Sequence, residues 1–253
     1  MEEKDYRPFD YDAVEAFNGK KVAELNPQLQ EMIKNIFPRA EDKDVIACGL
    51  CDRYDKPDIW LEVGEEKQFI SLKSGHSKTI HYEDIRSFIY FLRGLGISAD
   101  TQRTLLLYQY GDMTLNGVGP KRYESGDLLK MMPDRIARAN RELNSRDIVR
   151  KCFRRFVRTG SEKRTTKADY IAYGNHDYFV YSSIKSLESY VVTKGFNHIK
   201  TLHIGPMIFG PWMRNLKRNP DSDWKRDIVH INWPYLLTDL ELLEAKRTQK
   251  ESE

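Results

Sequence analysis

The stretch KPDIWLEVGEEKQFISLKSG, residues 56–75, decides how the rest of the chain is read. Two apolar runs flank a turn, Gly64-Glu65-Glu66-Lys67. Asp58 opens the first run directly after Pro57, and Lys73 closes the second just before Ser74-Gly75. The pattern predicts two adjacent antiparallel strands with a carboxylate and an ammonium among core residues. An even loop, either Glu65-Glu66 or Gly64 to Lys67, pairs Asp58 with Lys73 and Trp60 with Ser71. Directly opposed residues share a face, as do residues two apart on one strand. Asp58, Trp60, Ser71 and Lys73 then project from one side of the sheet. An odd loop would send the Asp and the Lys to opposite sides.

Such a pair has an ordinary reading, a cross-strand ion pair worth about 0–1 kcal/mol if exposed. Two features point beyond it. Pro57 imposes an extended start on the first strand. Ser74-Gly75 ends the second beside the start of a helix, and strand ends near helix N-termini are where α/β proteins build sites.

The whole chain frames this hairpin. Its 253 residues suffice for one large domain with a sizeable core. Apolar residues make up 40% and charged residues 31%, a soluble balance, and the net charge of +3 carries no global nucleic-acid signal. Charge is distributed unevenly instead. Glu2, Glu3, Asp5, Asp10, Asp12 and Glu15 make the start acidic, whereas Arg146 to Lys167 holds nine Lys or Arg against two acids. The N-terminus lacks an apolar signal segment, and no run approaches the ~18 apolar residues of a membrane span. Three cysteines are no disulfide framework. A reduced cytoplasmic protein is the expectation.

Asn26-Pro27 heads a predicted helix, NPQLQEMIKNIF, with Leu29, Ile33 and Phe37 on one face. DVIACGL reads as a strand before the hairpin. EDIRSFIYFLRGLG, from Glu83, reads as an amphipathic helix and RTLLLYQYG, residues 103–111, as an apolar strand. Further on, helices are expected on both sides of Pro133 and over SRDIVRKCFRRFV, strands over DYIAYG and DYFVYS, then a late strand pair and a final helix. Strands and helices alternate, so the expected architecture is one mixed α/β sheet covered by helices. The expected organisation is a single domain, residues 1–253, with its core at about 26–185. A C-terminal elaboration, about 196–247, holds the late strand pair and helix.

Pro-Asp, a spacer, then acid-x-Lys after a hairpin resembles the PD-(D/E)xK nuclease superfamily, and the order of elements over residues 26–110 resembles it too. The resemblance implies a restriction-endonuclease-like fold with a mixed central sheet flanked by helices. It also implies a Mg²⁺-dependent endonuclease cutting DNA, and by symmetry a homodimer. This sequence departs from the motif at its acid, where Ser71-Leu72-Lys73 stands. It is similar there to a Ser-x-Lys branch in which a glutamate from the next helix reaches the same point, which implies Glu83. Mg²⁺ takes hard oxygen ligands, few of them carboxylates. Asp58, Glu83 and the Leu72 carbonyl are the expected ligands, and Lys73 the expected stabiliser of charge in the transition state. Ser71 would hydrogen-bond a ligand water. Glu62 lies about 13 Å along the strand from Asp58, and Glu31 is a second-choice ligand. Loss of the acid also leaves open a binding module of the same fold without catalysis.

Other motifs are weaker. Cys48-Gly-Leu-Cys51 lacks partners for zinc and reads as buried apolar cysteine. The Gly-rich loop 111–126 carries Lys121 and Arg122 as candidate phosphate contacts. Arg150, Lys151, Arg154, Arg155 and Arg158 are expected on the outward face of one helix, as a solvated face or a phosphate-tracking ridge. Trp212 and Trp224 stand among Arg214, Lys217, Arg218, Lys225 and Arg226, a mixture that suits nucleic acid or a core anchor equally.

Overall fold

Gly64 sets the register of the hairpin. It adopts φ +61°, a left-handed conformation that glycine reaches without strain, and the turn falls at Gly64-Glu65. Val63 therefore pairs with Glu66, Trp60 with Phe69 and Ile59 with Ile70. The register is two residues away from the expected one, so Trp60 does not face Ser71, and Asp58 is level with Ser71 rather than with Lys73. A shift of two preserves alternation, so Asp58, Ser71 and Lys73 still share a face.

The computed structural model describes residues 8–75, 78–119, 122–161, 166–175, 177–196, 198–212 and 220–251. Its helices are α1 (Pro8–Phe17), α2 (Pro27–Ile36), α3 (Ile85–Gly94), α4 (Ala99–Tyr110), α5 (Ser125–Met131), α6 (Pro133–Leu143), α7 (Arg146–Phe153), α8 (Ile184–Thr193) and α9 (Leu236–Glu251). Its strands are β1 (Ile46–Leu50), β2 (Ile59–Val63), β3 (Glu66–Lys73), β4 (Thr79–Asp84), β5 (Tyr170–Asn175), β6 (Tyr178–Ser183), β7 (His203–Ile204), β8 (Met207–Pro211) and β9 (Ile228–Asn232). The chain divides into two compact units. The first comprises Met1–Ser77, Val157–Glu188 and Leu236–Glu253, and the second Lys78–Phe156 and Ser189–Tyr235.

The first unit is built on a five-stranded sheet in the order β1-β2-β3-β5-β6. β1, β2 and β3 form an antiparallel meander, β3 and β5 run parallel, and β5 and β6 form a hairpin. One face is apolar: Ile46, Ile59, Leu61, Ile70 and Leu72 bury against Phe17, Met32, Ile33 and Phe37 of α1, α2 and the residue that ends α2. Alternation then puts Asp58, Trp60, Ser71 and Lys73 on the other face. Asn26 caps α2 as the sequence predicts, its Oδ1 accepting from the Leu29 amide at 3.0 Å.

The second unit holds an antiparallel sheet, β4-β9-β8-β7, with helices α3 to α7. Two sheets thus replace the single sheet expected. The late strands β8 and β9 do pair, but β9 pairs onward with β4, a strand not expected from the sequence. β4 escapes notice because its alternation is inverted, with polar His81 and Glu83 buried and aromatic Tyr82 exposed. A second correction concerns residues 103–111, read as a strand and folded as most of α4. Ser98 caps that helix through the Thr101 amide, and Gly111 ends it at φ +62°. Nearly every residue from Thr101 to Tyr110 is buried, so no polar stripe marks the helical period.

Candidate active site

Asp58 stands at the start of β2, and both neighbouring strands fix its backbone. Its amide donates to the Ile70 carbonyl at 2.9 Å and its carbonyl accepts from the Cys51 amide at 3.0 Å. The side chain turns along β3. Oδ2 accepts from the Leu72 amide at 2.6 Å and from the Ser71 hydroxyl at 3.1 Å. The Lys73 ammonium lies 3.8 Å from the same oxygen and donates to the Leu72 carbonyl at 2.7 Å. Among the described residues Oδ1 has no hydrogen-bond partner. The side chains of Asp58 and Lys73 are 28% and 17% exposed, reachable but sheltered. Asp58, Ser71, Leu72 and Lys73, all foreseen as site residues, thus form one cluster at the end of the β2–β3 pair.

Ser71 is a neutral donor to Asp58 inside the cluster. It is 1% exposed, and its hydroxyl neutralises part of the demand that Asp58 makes for donors.

Glu83 belongs to the second unit and is not in the first turn of α3. It is the penultimate residue of β4, and Asp84 caps the helix instead, accepting from the Arg86 and Ser87 amides at 2.9 Å. The Glu83 carboxylate is 2% exposed and fully engaged. Arg155 Nε donates to Oε1 at 3.0 Å and Nη2 to Oε2 at 2.5 Å, a two-pronged pair, and His81 Nε2 lies 3.2 Å from Oε1. Burial pushes this carboxyl upward, but the hydrogen bonds and charges of His81 and Arg155 outweigh it and hold it below its ordinary range. Glu31, the second choice, is close enough to Tyr178, Tyr181 and Glu244 to raise their pKa values, which puts it by the edge strand β6 and α9.

The pairing of Glu83 also corrects Arg155, which was expected to face outward. After Phe153 the helix continues as a π-helical turn, Arg154–Thr159, and Arg155, seven residues after the buried Ile148, turns inward over the ring of Phe91. Arg154 and Lys151 are exposed, Lys151 paired with Asp147 at 2.8 Å, and Arg150 and Arg158 are half-buried. Arg122 is also turned inward. Its guanidinium pairs with Asp112 at 2.8 Å and donates to the Gly117 and Gly119 carbonyls, bracing the Gly-rich loop. Asp112, which no motif in the sequence marks, is that loop's centre, accepting also from Thr114 and from the Gly119 amide. Lys121 lies outside the described residues.

The three cysteines are free and buried, and burial pushes the Cys48 thiol up to about 12. Such a thiol is protonated at neutral pH and packs as a small apolar group. Among the described residues no three His, Cys, Asp or Glu side chains gather as a metal-binding group, and no helix is long and apolar enough to cross a membrane.

No family model matches this chain, and a search of curated proteins by sequence finds no match. Among solved structures it is similar to restriction endonuclease MspI, captured in complex with its cognate DNA. The TM-score is 0.56 over 87% of this chain and 87% of that one, at 14% identity. At that identity the likeness is one of fold. The mixed α/β architecture of two sheets flanked by helices is restriction-endonuclease-like.

Proposed function

We propose that this chain is a Mg²⁺-dependent endonuclease that hydrolyses phosphodiester bonds in DNA. The observation that carries the reading is the cluster of Asp58, Ser71, Leu72 and Lys73 at one strand end, in a fold shared with a restriction endonuclease. Mg²⁺ is satisfied by one or two carboxylates when waters and substrate phosphate complete its shell. Asp58 Oδ1 and the second lone pair of the Leu72 carbonyl fit that requirement. Glu83 stays outside this set, because both its oxygens are bound by Arg155. Bound Mg²⁺ would neutralise phosphate charge and lower the pKa of water.

The residues of the chain supply the rest. Asp58, pinned through Oδ2, presents Oδ1 without losing its orientation. The ammonium of Lys73 is held at the strand end by the Leu72 carbonyl, and it would shift to an oxygen of the scissile phosphate as negative charge builds there. Cutting both strands with one such site per chain favours a homodimer. The exposed Arg154 would contact phosphate backbone. Its replacement by Ala should weaken binding to every DNA sequence alike and reduce the slope of log K against log[salt] by about 1. Unchanged affinity at low salt would return it to the solvated surface. Arg155 is unsuited to that test, since removing it would strand Glu83.

A second reading, a DNA-binding module without catalysis, is favoured by the single carboxylate at the cluster. Supercoiled plasmid separates the two. Nicked or linear product with Mg²⁺ and none with EDTA supports the endonuclease, and retention of DNA without cleavage in any divalent metal supports the module.

A further inference from the structure

The outer face of the second unit's sheet carries a run of aromatic rings that packing does not account for. Tyr82 on β4 and His230 on β9 are direct cross-strand partners, their ring centroids 6.1 Å apart. Trp212, just past β8, lies 5.1 Å from His230 and 6.0 Å from Tyr82, and Trp224 meets it edge-on at 5.4 Å. Tyr82, Trp212 and Trp224 are 63%, 40% and 56% exposed, whereas Trp233, an ordinary core residue, is 1% exposed. A contiguous apolar patch left open on a folded surface marks an interaction site. Gly210, the partner of His230 on β8, adds no side chain above the sheet, so the floor beside the rings stays flat.

We propose that this face is a stacking platform for the unpaired bases of single-stranded DNA. The choice of occupant rests on where the charge sits. The Lys225 ammonium lies 4.8 Å from the Trp212 ring centroid and 5.5 Å from that of Trp224, so a cation is built into the aromatic surface. Single strands are bound by this combination, π-faces for the bases and cations for the phosphates between them. A docking protein would favour a patch depleted of lysine. Duplex DNA hides its base faces inside the stack and presents phosphates and base edges, so it has nothing to offer these rings. Burial lowers the pKa of His230, which keeps its ring uncharged at neutral pH and fit to stack. The inference rests on the reading of this chain as a DNA-acting protein only in its choice of DNA.

The test is a titration of intrinsic tryptophan fluorescence in the full-length chain, in EDTA, with oligothymidylate and with a duplex of equal length. Oligothymidylate should quench the emission. Tyr82→Leu and Trp224→Leu should each weaken its binding by roughly five- to hundredfold without changing affinity for duplex. Trp224→Phe, which keeps a ring, should bind like the parent. Asp58→Ala should also bind like the parent, so loss of cleavage and loss of the platform are separate results. Absence of quenching, equal quenching by duplex, or parental affinity in both Leu variants would overturn the platform while leaving the nuclease reading untouched.

Discussion

Lys73→Ala should slow Mg²⁺-dependent plasmid cleavage by about 10²–10³-fold, the usual loss when one group that stabilises transition-state charge is removed. Asp58→Asn should abolish it. The amide can still accept the Leu72 N–H through its oxygen, so the cluster keeps its shape, but it no longer offers a charged oxygen to a hard cation. Lys73→Arg should rescue poorly, because a planar guanidinium cannot occupy the point position of an ammonium held 2.7 Å from the Leu72 carbonyl. Thermal unfolding of all three should stay near the parent, since the side chains are partly exposed and the Asp58–Lys73 separation, 3.8 Å, makes a weak pair. Cleavage by Asp58→Asn at a rate within threefold of the parent would end the proposal that this cluster is the active site.

What was legible in the sequence follows from where information is local. The hairpin announced itself because Pro57, Gly64 and Gly75 punctuate two apolar runs, and because a side-chain period of two makes sharing a face depend on parity alone. The turn was misplaced by one residue at each end, which moved the register by two and left the faces unchanged. The helix at 26–37 was legible through Asn26 and Pro27, whose capping chemistry acts within one turn. α4 was not, because burial on nearly all sides erased its polar stripe.

The candidate site divides in the same way. Asp58, Ser71, Leu72 and Lys73 lie within one hairpin, so alternation could bring them together. Glu83 and Arg155 are 72 positions apart, and no local rule links them. Without that partner, Glu83 read as a free carboxylate and Arg155 as a surface cation. Each is the other's counterion. The aromatic platform had the same ambiguity in sequence. Trp212 and Trp224 gave no sign of whether they faced in or out until strand pairing set β4 beside β9 and β9 beside β8.

Glu83→Ala should destabilise the second unit by about 3–5 kcal/mol, because it leaves the Arg155 guanidinium buried without a counterion. The side chains are 15% and 2% exposed for Arg155 and Glu83, so water cannot compensate for the lost charge. The dependence on pH has a definite sign. The folded carboxyl titrates below its ordinary value of 4.5, so the pair contributes fully above that pH and is lost as pH falls through the lower, folded value. The gap in stability between the parent and Glu83→Ala should therefore close in acid. Glu83→Met combined with Arg155→Met should recover most of the loss, since apolar residues of similar volume replace buried ion pairs at little cost. That double variant also decides between the two roles of Glu83. With Asp58 and Lys73 intact, a folded Met-Met protein should cleave plasmid like the parent. If it folds and does not cut, Glu83 supplies the second carboxylate after all, and the one-carboxylate site built on Asp58 alone is wrong.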